Sequence, residues 1–272
     1  MMSARRKREF QGRYGPWAVV TGASSGIGRA TALQLAEIGL NLLIVGRRHE
    51  LLSELAAQLA GSSHIETRVV VADLSTATGT ATVEDASTDL DVGLLVAAAG
   101  FGTSGPFLEA DLPIELEMLD VNCGALVGEC LYFGRRLAKR GRGGMVLMAS
   151  LVGFQGVPFS ASYAATKGYV QNLAEALSFE LRPLGIDVLA SAPGPVRSGF
   201  EARADMRMSA AIEPDVVARE TLRALGRQSA VTPGLLLKVL TYSLAPLTRP
   251  LRTRIMARVM GDMTKHQRKA SV

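Results

Sequence analysis

Residues 17–39 read WAVVTGASSGIGRATALQLAEIG, and this stretch decides the fold. Apolar residues 17–20 predict a buried strand, and the helical spacing of apolar residues after the glycine-rich turn predicts an amphipathic helix. Gly22 allows a tight turn after the strand, while Gly26 and Gly28 leave room for the backbone to approach a pyrophosphate and for the helix to pack on a sheet. The glycine spacing, G-x-x-x-G-x-G, meets the commoner G-x-G-x-x-G pattern only in part. The order of strand, turn and helix nevertheless predicts the first half of a mononucleotide-binding unit.

The second apolar run, LNLLIVG at 40–46, ends at Arg47 and Arg48, and Arg29 follows the last glycine of the turn. In units of this kind a carboxylate near this point binds the ribose 2′-hydroxyl of NAD, whereas an arginine accommodates the 2′-phosphate of NADP. No Asp or Glu occurs among residues 40–49. A guanidinium forms bidentate, charge-assisted bonds with phosphate. The sequence therefore predicts NADP(H) in preference to NAD(H).

Tyr163 and Lys167 are four residues apart in a helical pattern, and Ser150 ends the apolar run GGMVLMAS upstream of them. Four-residue spacing places two side chains on one face of a helix, one turn apart. A tyrosine has an ordinary pKa of about 10, and a neighbouring cation favours the phenolate. We therefore expect Lys167 to lower the pKa of Tyr163 and make it a proton donor or acceptor near neutral pH.

The length and the strand patterns predict the fold class. A chain of 272 residues is long enough for one large domain with a well-buried core. The runs VGLLVAA (92–98) and IDVLASA (186–192) are almost continuously apolar, as in strands buried on both faces. Strands alternate with helical patterns. We predict an α/β fold, a single-domain Rossmann-type doubly wound parallel sheet with flanking helices and a C-terminal helical extension.

Charge divides the chain into three segments. Residues 1–15 carry a net charge of +4, residues 235–272 carry +7, and residues 16–234 carry −6. The basic total therefore comes from the ends, and it does not predict nucleic-acid binding by the central segment. We expect a flexible, solvated N-terminal arm at 1–15, the catalytic domain at 16–234 and a basic, apolar helical extension at 235–272.

Two roles are open for this extension. Lys238, Pro246 and Pro250 interrupt it too often for a membrane span. Either it forms interfacial helices on an anionic membrane, or its apolar face covers the substrate cleft or a subunit interface while its charges stay in water.

The two cysteines and three histidines predict neither disulfides nor metal sites. Cys123 and Cys130 are seven residues apart, and we expect two buried thiols in a reducing compartment. The basic N-terminus lacks the apolar stretch of a secretory signal, so a cytoplasmic location is expected. His49, His64 and His266 are scattered without ligand spacing, so no metal site is predicted.

Taken together, these motifs resemble the short-chain dehydrogenase/reductase family of the classical type, over residues 17–234. The turn TGASSGIG matches the family's cofactor turn, and Ser150, Tyr163 and Lys167 match its catalytic residues. Other matches are Asp73 in VVVADLS, Asn122 in LDVNCGAL and Pro193-Gly194 in SAPGPVRSGF.

Two positions depart from the family pattern. The chain reads Ala97-Ala98-Ala99-Gly100 where the family usually has Asn-Asn-Ala-Gly, and Ser198 stands where threonine is more usual. The missing asparagines normally brace the sheet, so their loss bears on stability more than on chemistry.

The resemblance implies a role for each matched residue. Tyr163 is the general acid toward a carbonyl oxygen, and Ser150 donates a hydrogen bond to that oxygen. Lys167 also holds the nicotinamide ribose, and Asn122 positions a water that links Lys167 to solvent. The implied cofactor-binding residues are Gly22, Ser24, Ser25, Gly26, Ile27, Gly28, Arg47, Arg48, Asp73, Gly100, Tyr163, Lys167, Pro193, Gly194, Val196 and Ser198.

The family's substrate lid falls at residues 200–213, which we call the lid. Phe200, Met206 and Met208 offer apolar contacts there, and methionine suits adaptable surfaces. With the apolar tail, this composition predicts an apolar substrate, namely a long-chain 3-oxoacyl compound, a ketone or a sterol-like molecule.

Three alternatives stay open. Within the same class, the chain is a 3-oxoacyl-thioester reductase of fatty-acid synthesis. From other classes, it is a non-catalytic NADP-binding sensor, which would typically have lost Tyr163 or Lys167, or a membrane-associated scaffold that works through its tail. The helices near 112–139 and 160–182 resemble the family's dimerising pair, so a homodimer or homotetramer is implied.

Overall fold

A computed structural model describes residues 2–62, 64–208, 211–234, 238, 243 and 246–267. Among these residues, seven strands form one parallel sheet. The strands are β1 (Trp17–Thr21), β2 (Asn41–Gly46), β3 (Thr67–Val71), β4 (Val92–Ala97), β5 (Gly143–Met148), β6 (Ile186–Ser191) and β7 (Ala230–Val231). The predicted α/β fold class and parallel sheet are confirmed.

The strand order is β3-β2-β1-β4-β5-β6-β7, so the chain changes direction across the sheet between β1 and β4. Ligands of open parallel sheets bind at such a switch point, outside the carboxyl ends of the strands. Strands β1, β4 and β5 are buried along their whole length, which explains their nearly continuous apolar sequences.

Helices cover both faces of the sheet, and each face has its own apolar cluster. The helices are α1 (Ala4–Tyr14), α2 (Gly26–Ile38), α3 (His49–Ser62), α4 (Ala77–Ser87), α5 (Leu112–Leu119), α6 (Leu126–Arg140), α7 (Ala161–Glu180), α8 (Phe200–Arg203), α9 (Pro214–Ala224) and α10 (Arg249–Met263). Short 3₁₀ turns occur at Phe107–Glu109, Leu151–Phe154 and Arg182–Leu184. None of the helices in the described part of the chain is long and apolar enough to cross a membrane.

The helix expected near 112–139 is interrupted in the structure. A π-helical segment, Asp120–Ala125, separates α5 from α6. One widened turn of this kind occurs frequently at functional sites because it redirects a side chain. Here it carries Asn122, which belongs to the predicted site.

The expectation of a flexible, solvated arm at residues 1–15 is wrong for the helix α1 that occupies most of it. Phe10 and Tyr14, one turn apart, are buried at 6% and 3% exposure. The Tyr14 hydroxyl donates to Asp187 Oδ2 at 2.6 Å, and Arg13 pairs with the same carboxylate. Two aromatic anchors therefore fix the arm under the amino-terminal edge of the sheet.

The basic residues of α1 also have structural partners. Lys7 Nζ donates to the carbonyl of Glu37 at the end of α2, at 2.6 Å. Arg6 Nη2 donates to the carbonyl of Arg223 near the end of α9, at 2.8 Å. Cations at helix C-termini satisfy unpaired carbonyls and complement the helix dipole. The basic side chains of the arm suggested a disordered leader, but Arg6 and Lys7 instead donate to carbonyl groups near the ends of neighbouring helices.

Part of the C-terminal extension lies outside the described residues, namely 235–237, 239–242, 244–245 and 268–272. Its described helix, α10, packs on the protein. Met260 is 3% exposed and shares an apolar cluster with Met206 of the lid. Of the two open roles, the structure shows the contact with the cleft for this helix.

Candidate active site

The glycine turn between β1 and α2 has the geometry that the sequence predicted. Gly22 and Gly26 have φ angles of 68° and 53°, in the left-handed region that favours glycine. A Cβ atom on Gly28 would lie 2.3 Å from the Gly22 carbonyl oxygen. These positions therefore exclude side chains and bring bare backbone to the start of α2, as a phosphate cradle requires.

This turn opens into a cavity of about 1420 Å³ at the carboxyl edge of the sheet. Every predicted site residue except Asn122 lines it. The lining residues that the sequence predicted are Gly22, Ser24, Ser25, Gly26, Ile27, Gly28, Arg47, Arg48, Asp73, Gly100, Ser150, Tyr163, Lys167, Pro193, Gly194, Val196 and Ser198. The volume suits a dinucleotide together with a second molecule.

Ser150, Tyr163 and Lys167 lie together at the inner end of this cavity, each buried at 5–9% exposure. Tyr163 and Lys167 share one face of α7, as their spacing predicted. Lys167 Nζ donates to the carbonyl of Met148 at 2.8 Å and lies 5.8 Å from the centre of the Tyr163 ring. Ser150, directly after β5, points its hydroxyl at the carbonyl of Pro193, 3.4 Å away.

The expectation that Lys167 lowers the pKa of Tyr163 is wrong, because the pKa of Tyr163 is raised above its ordinary value and Lys167 is not among the causes of the shift. Burial raises the pKa of the Tyr163 phenol to about 12, while hydrogen bonding to Ser150 acts in the opposite direction. Burial likewise lowers the pKa of Lys167 to about 8. Desolvation disfavours the charged form of both groups, and the ammonium of Lys167 is directed to a carbonyl rather than to the phenol.

Asn122 sits behind the cavity wall, in the π-helical segment. Its Nδ2 donates to the Phe101 carbonyl at 2.9 Å and to Thr166 Oγ1 at 3.0 Å, and its Oδ1 accepts from the Phe101 amide at 3.2 Å. Asn122 therefore joins the loop after β4 to α7, the helix that carries Tyr163 and Lys167. Its role in positioning a water stays a prediction.

The two arginines after β2 have different partners. Arg48 Nη2 donates to the hydroxyls of Ser24 and Ser25 at 3.0 and 2.9 Å, so it lies on the glycine turn. Arg47 Nη1 instead donates to Glu117 of α5 at 2.8 Å and lies 3.7 Å from Asp73. Only Arg48 therefore has its guanidinium beside the turn that would hold the adenosine phosphates.

One end of the cavity has an apolar wall, formed by α10 and by the described part of the lid, which excludes residues 209–210. The Phe200 ring packs on the Tyr163 ring with centroids 5.2 Å apart. Six methionines line the same cavity: Met148 at the end of β5, and five from the lid and α10, namely Met206, Met208, Met256, Met260 and Met263. The backbone amide of Arg207 donates to the Met263 carbonyl at 3.0 Å, which ties the lid to α10.

The lid residues were predictable from the sequence, whereas the individual cavity-lining residues of α10 were not predicted. A signal was available, because Met256, Met260 and Met263 have the i, i+4, i+7 spacing of one helix face. Phe101 and Glu117 were missed too. Their role depends on contacts with the lid, which no local pattern reveals.

Ala97, Ala98 and Ala99 have no side-chain amide that could brace the sheet by hydrogen bonding, and Thr21 provides one of the hydrogen bonds here. The Thr21 hydroxyl accepts from the Ala99 amide at 3.4 Å, and the Ala98 amide bonds within its own strand end, to Val96. Gly100 has a φ of 156°, and a Cβ there would lie 2.7 Å from Asn122 Oδ1.

The cysteines and histidines were predicted to form neither disulfides nor metal sites. The expectation of two buried thiols is confirmed for Cys130 and wrong for Cys123, which is half-buried and interacts electrostatically with Lys167; both are free thiols. His266 Nε2 contacts Asp205 Oδ1 at 3.0 Å. No group of three or more potential metal ligands occurs among the residues that the structure describes.

Comparisons with known proteins agree with this architecture. Residues 16–208 match the family model of the short chain dehydrogenases. The chain is 30% identical to a 7beta-hydroxysteroid dehydrogenase of Clostridium sardiniense, over 83% of this chain and 88% of that protein. It is 31% identical to a very-long-chain 3-oxoacyl-CoA reductase of Meyerozyma guilliermondii, over 81% of this chain and 67% of that protein.

Among solved structures, the fold is similar to a short-chain dehydrogenase from Sphingobium yanoikuyae in complex with NADPH. The TM-score is 0.80 at 30% identity, covering 85% of this chain and 93% of the other. The chain belongs to the short-chain dehydrogenase family, and it is an oxidoreductase of that family.

Proposed function

We propose that this chain is an NADP(H)-dependent oxidoreductase that interconverts an apolar carbonyl compound and its alcohol, with Tyr163 as general acid and base. The observation that carries the proposal is the position of Tyr163, which is buried together with Ser150 and Lys167. All three line one cavity with the glycine cradle and with the apolar wall formed by the lid and α10. This position supports a role for Tyr163 as a proton donor between a nucleotide and an apolar substrate.

The residues present fit a nicotinamide dinucleotide. Gly22, Gly26 and Gly28 form a backbone cradle without side chains at the start of α2. Arg48, on the hydroxyls of Ser24 and Ser25, offers a guanidinium for a 2′-phosphate. These contacts support NADP(H) over NAD(H).

When bound, the nicotinamide supplies or accepts the hydride at carbon. In the reducing direction Tyr163 transfers its phenolic proton to the carbonyl oxygen, and Ser150 donates a hydrogen bond to the same oxygen. The carbonyl carbon gains a hydride and the oxygen gains a proton, which together make the alcohol. Tyr163 then regains a proton from solvent. Its raised pKa keeps the phenol protonated at neutral pH, which suits it as the acid of the reduction.

The apolar wall supports a bulky or long apolar substrate. Flexible methionine side chains adapt to flat rings or to an extended chain, and their burial excludes water from the reacting carbon. A steroid-like substrate agrees with the name of the Clostridium sardiniense relative.

A second candidate is the reduction of a long-chain 3-oxoacyl thioester, and the Meyerozyma guilliermondii relative favours it. The two candidates differ in what lies at the cavity mouth, because a thioester carries a large polar group outside the apolar wall. Comparing 3-oxoacyl thioesters with steroid ketones of similar apolar area separates them.

The test is NADPH oxidation, with NADH in parallel, on steroid ketones, 3-oxoacyl thioesters and small polar ketones. Tyr163→Phe removes the acidic proton. Tyr169→Phe makes the same change on the same helix at a side chain that is 42% exposed, and it is the matched control. We expect turnover of apolar ketones that is lost in Tyr163→Phe and kept in Tyr169→Phe. Preference for small polar substrates would refute the apolar assignment, and NADPH binding without turnover on any carbonyl would favour a sensor.

We also propose a homodimer through α6 and α7. These helices expose Leu131, Tyr169 and Phe179 at 54%, 42% and 84%. Burial of such side chains against a second copy would remove a large apolar area from water.

A further inference from the structure

Glu117 lies between two arginines that come from opposite sides of the cleft. Its Oε1 accepts from Arg47 Nη1 at 2.8 Å, and its Oε2 lies 3.6 Å from Arg203 Nη2. Glu117 belongs to α5, and its side chain is 28% exposed. We call these two linked ion pairs, Arg47–Glu117 and Glu117–Arg203, the ion bridge.

The ion bridge connects elements that are far apart in the sheet. Arg47 directly follows β2, and Arg203 ends the lid helix α8, which follows β6. In the strand order, β2 and β6 are four strands apart, or roughly 19 Å at ~4.8 Å per strand. Both arginines line the cavity. The ion bridge therefore joins the nucleotide side of the cleft to its lid.

The lid helix is held at both ends. Phe200, at its start, packs on Tyr163. Arg203, at its end, lies over the Phe101 ring at 4.7 Å in addition to its pairing with Glu117. Opening the lid away from the cleft must break the contact with Glu117, because α5 and α8 belong to different sides of the opening.

Arg47 and Arg48 also divide their contacts in a way that leaves Glu117 occupied. Arg48 lies on Ser24 and Ser25, whereas Arg47 faces Glu117 and Asp73. A 2′-phosphate placed on the glycine turn meets Arg48 first. Arg47 thus stays available to Glu117 while the nucleotide is bound.

We propose that Glu117 is a positioning residue that keeps the lid closed over the bound nicotinamide cofactor, through simultaneous ion pairs with Arg47 and Arg203. This inference rests on the proposed NADP(H) function for the identity of the retained molecule. It adds a residue outside the predicted site that sets how long the cofactor stays. Removing the carboxylate leaves two cations facing each other and frees the lid.

The direct test is the rate of NADPH dissociation, followed by loss of NADPH fluorescence after rapid mixing with excess NADP⁺. Glu117→Gln keeps the shape of the side chain and removes its charge. Glu213→Gln is the matched control, because Glu213 pairs with Arg197 at 3.3 Å on the far end of the same lid and does not reach the nucleotide side. We expect Glu117→Gln to release NADPH about three- to tenfold faster, because the partly exposed Glu117–Arg203 pair is lost and Arg47 and Arg203 are left to repel each other, and we expect Glu213→Gln to match the unchanged protein.

Coupling distinguishes a bridge from two separate effects. Arg203→Gln should accelerate release as well. The double variant Glu117→Gln/Arg203→Gln should be no faster than Arg203→Gln, because either single change already breaks the Glu117–Arg203 pair and the Arg47–Glu117 pair alone does not reach the lid. Additive effects would overturn the proposal. So would release from Glu117→Gln that is slower than, or within twofold of, release from the Glu213→Gln control.

A measurement without cofactor separates this inference from the proposed function. Hydrogen exchange reports lid opening at the amide of Arg207, which donates to the carbonyl of Met263 in α10 at 3.0 Å and must lose that bond when the lid opens. In Glu117→Gln this amide should exchange at least threefold faster, with no change in Glu213→Gln. If the protein binds neither NADPH nor NADH, the proposed function fails while faster exchange still supports the lid contact. Unchanged exchange in Glu117→Gln overturns the inference whatever the cofactor does.

Discussion

Glu129 provides a stability prediction that follows directly from its surroundings. It lies on the core-facing side of α6, between Leu126 and Phe133, with 3% exposure. Its Oε1 has no hydrogen-bond partner among the described residues. Burial raises the pKa of this carboxyl from 4.5 to about 8. The folded protein therefore holds a proton that the unfolded chain has already released in this pH window.

The sign and size follow from proton linkage. Well below pH 4.5 the group is protonated in both states and makes no pH-dependent contribution to stability. As pH rises toward 8, stability falls by about 1.4 kcal/mol per pH unit, and above pH 8 the loss is complete. Between about pH 5 and pH 8.5 the loss amounts to roughly 4 kcal/mol.

Glu129→Gln removes the titration and keeps the shape of the side chain. We expect this variant to gain roughly 4 kcal/mol relative to the unchanged protein on going from about pH 5 to pH 8.5. Urea unfolding followed by far-UV circular dichroism, at equal protein concentration at both pH values, measures the difference. Glu54→Gln, an exposed change on α3, is the control. A stability difference between Glu129→Gln and the unchanged protein that is the same at both pH values, within about 1 kcal/mol, would refute the reasoning.

Four further outcomes are expected. Gly28→Ala places a Cβ 2.3 Å from a carbonyl oxygen of the turn and should reduce NADPH affinity at least tenfold in a fluorescence titration, whereas Gly12→Ala, with open space around it, should not. Because burial raises the pKa of Tyr163 to about 12, alcohol oxidation, which needs the phenolate, should rise by up to about tenfold per pH unit from pH 7 to 10 in initial-rate assays, and carbonyl reduction should show no such rise. Tyr14→Phe removes a 2.6 Å hydrogen bond to a carboxylate of β6 and should cost about 1.5–3 kcal/mol in urea unfolding; a cost below about 0.5 kcal/mol would mean that the arm is not anchored there. Phe179→Asp should convert a dimer to a monomer in light scattering, and an unchanged mass would exclude this face as the interface.

Much of the fold was predictable because its signals are local. The strand, glycine turn and helix at 17–39 depend on neighbours in sequence, and so does the pairing of Tyr163 and Lys167 on one helix face. Buried parallel strands need apolar residues on both faces, and this requirement is visible in each run. Element ends differed by only a residue or two, as at β4, which was expected over 92–98 and spans Val92–Ala97.

Some properties of the site were not predictable from local patterns. The pKa of Tyr163 depends on how deeply α7 is buried and on where Lys167 points, not on the spacing of the two residues. The π-helical segment that presents Asn122 contains one glycine, Gly124, and no proline, and a single glycine does not predict a widened turn. Its geometry follows from the contacts of Asn122 with Phe101 and Thr166, which lie 21 and 44 residues away in sequence.

The sequence by itself determined the parallel sheet, the glycine cradle and the family, because each is carried by motifs whose own residues are neighbours in sequence. Only the tertiary structure decided which arginine faces the nucleotide turn and which faces Glu117, and that the basic arm is a packed helix. It also decided that Glu129 is buried without a partner for one oxygen. A charge finds its partners across the fold, over distances that hydrophobic periodicity does not describe, so the pairing of charges is set by how the elements come together.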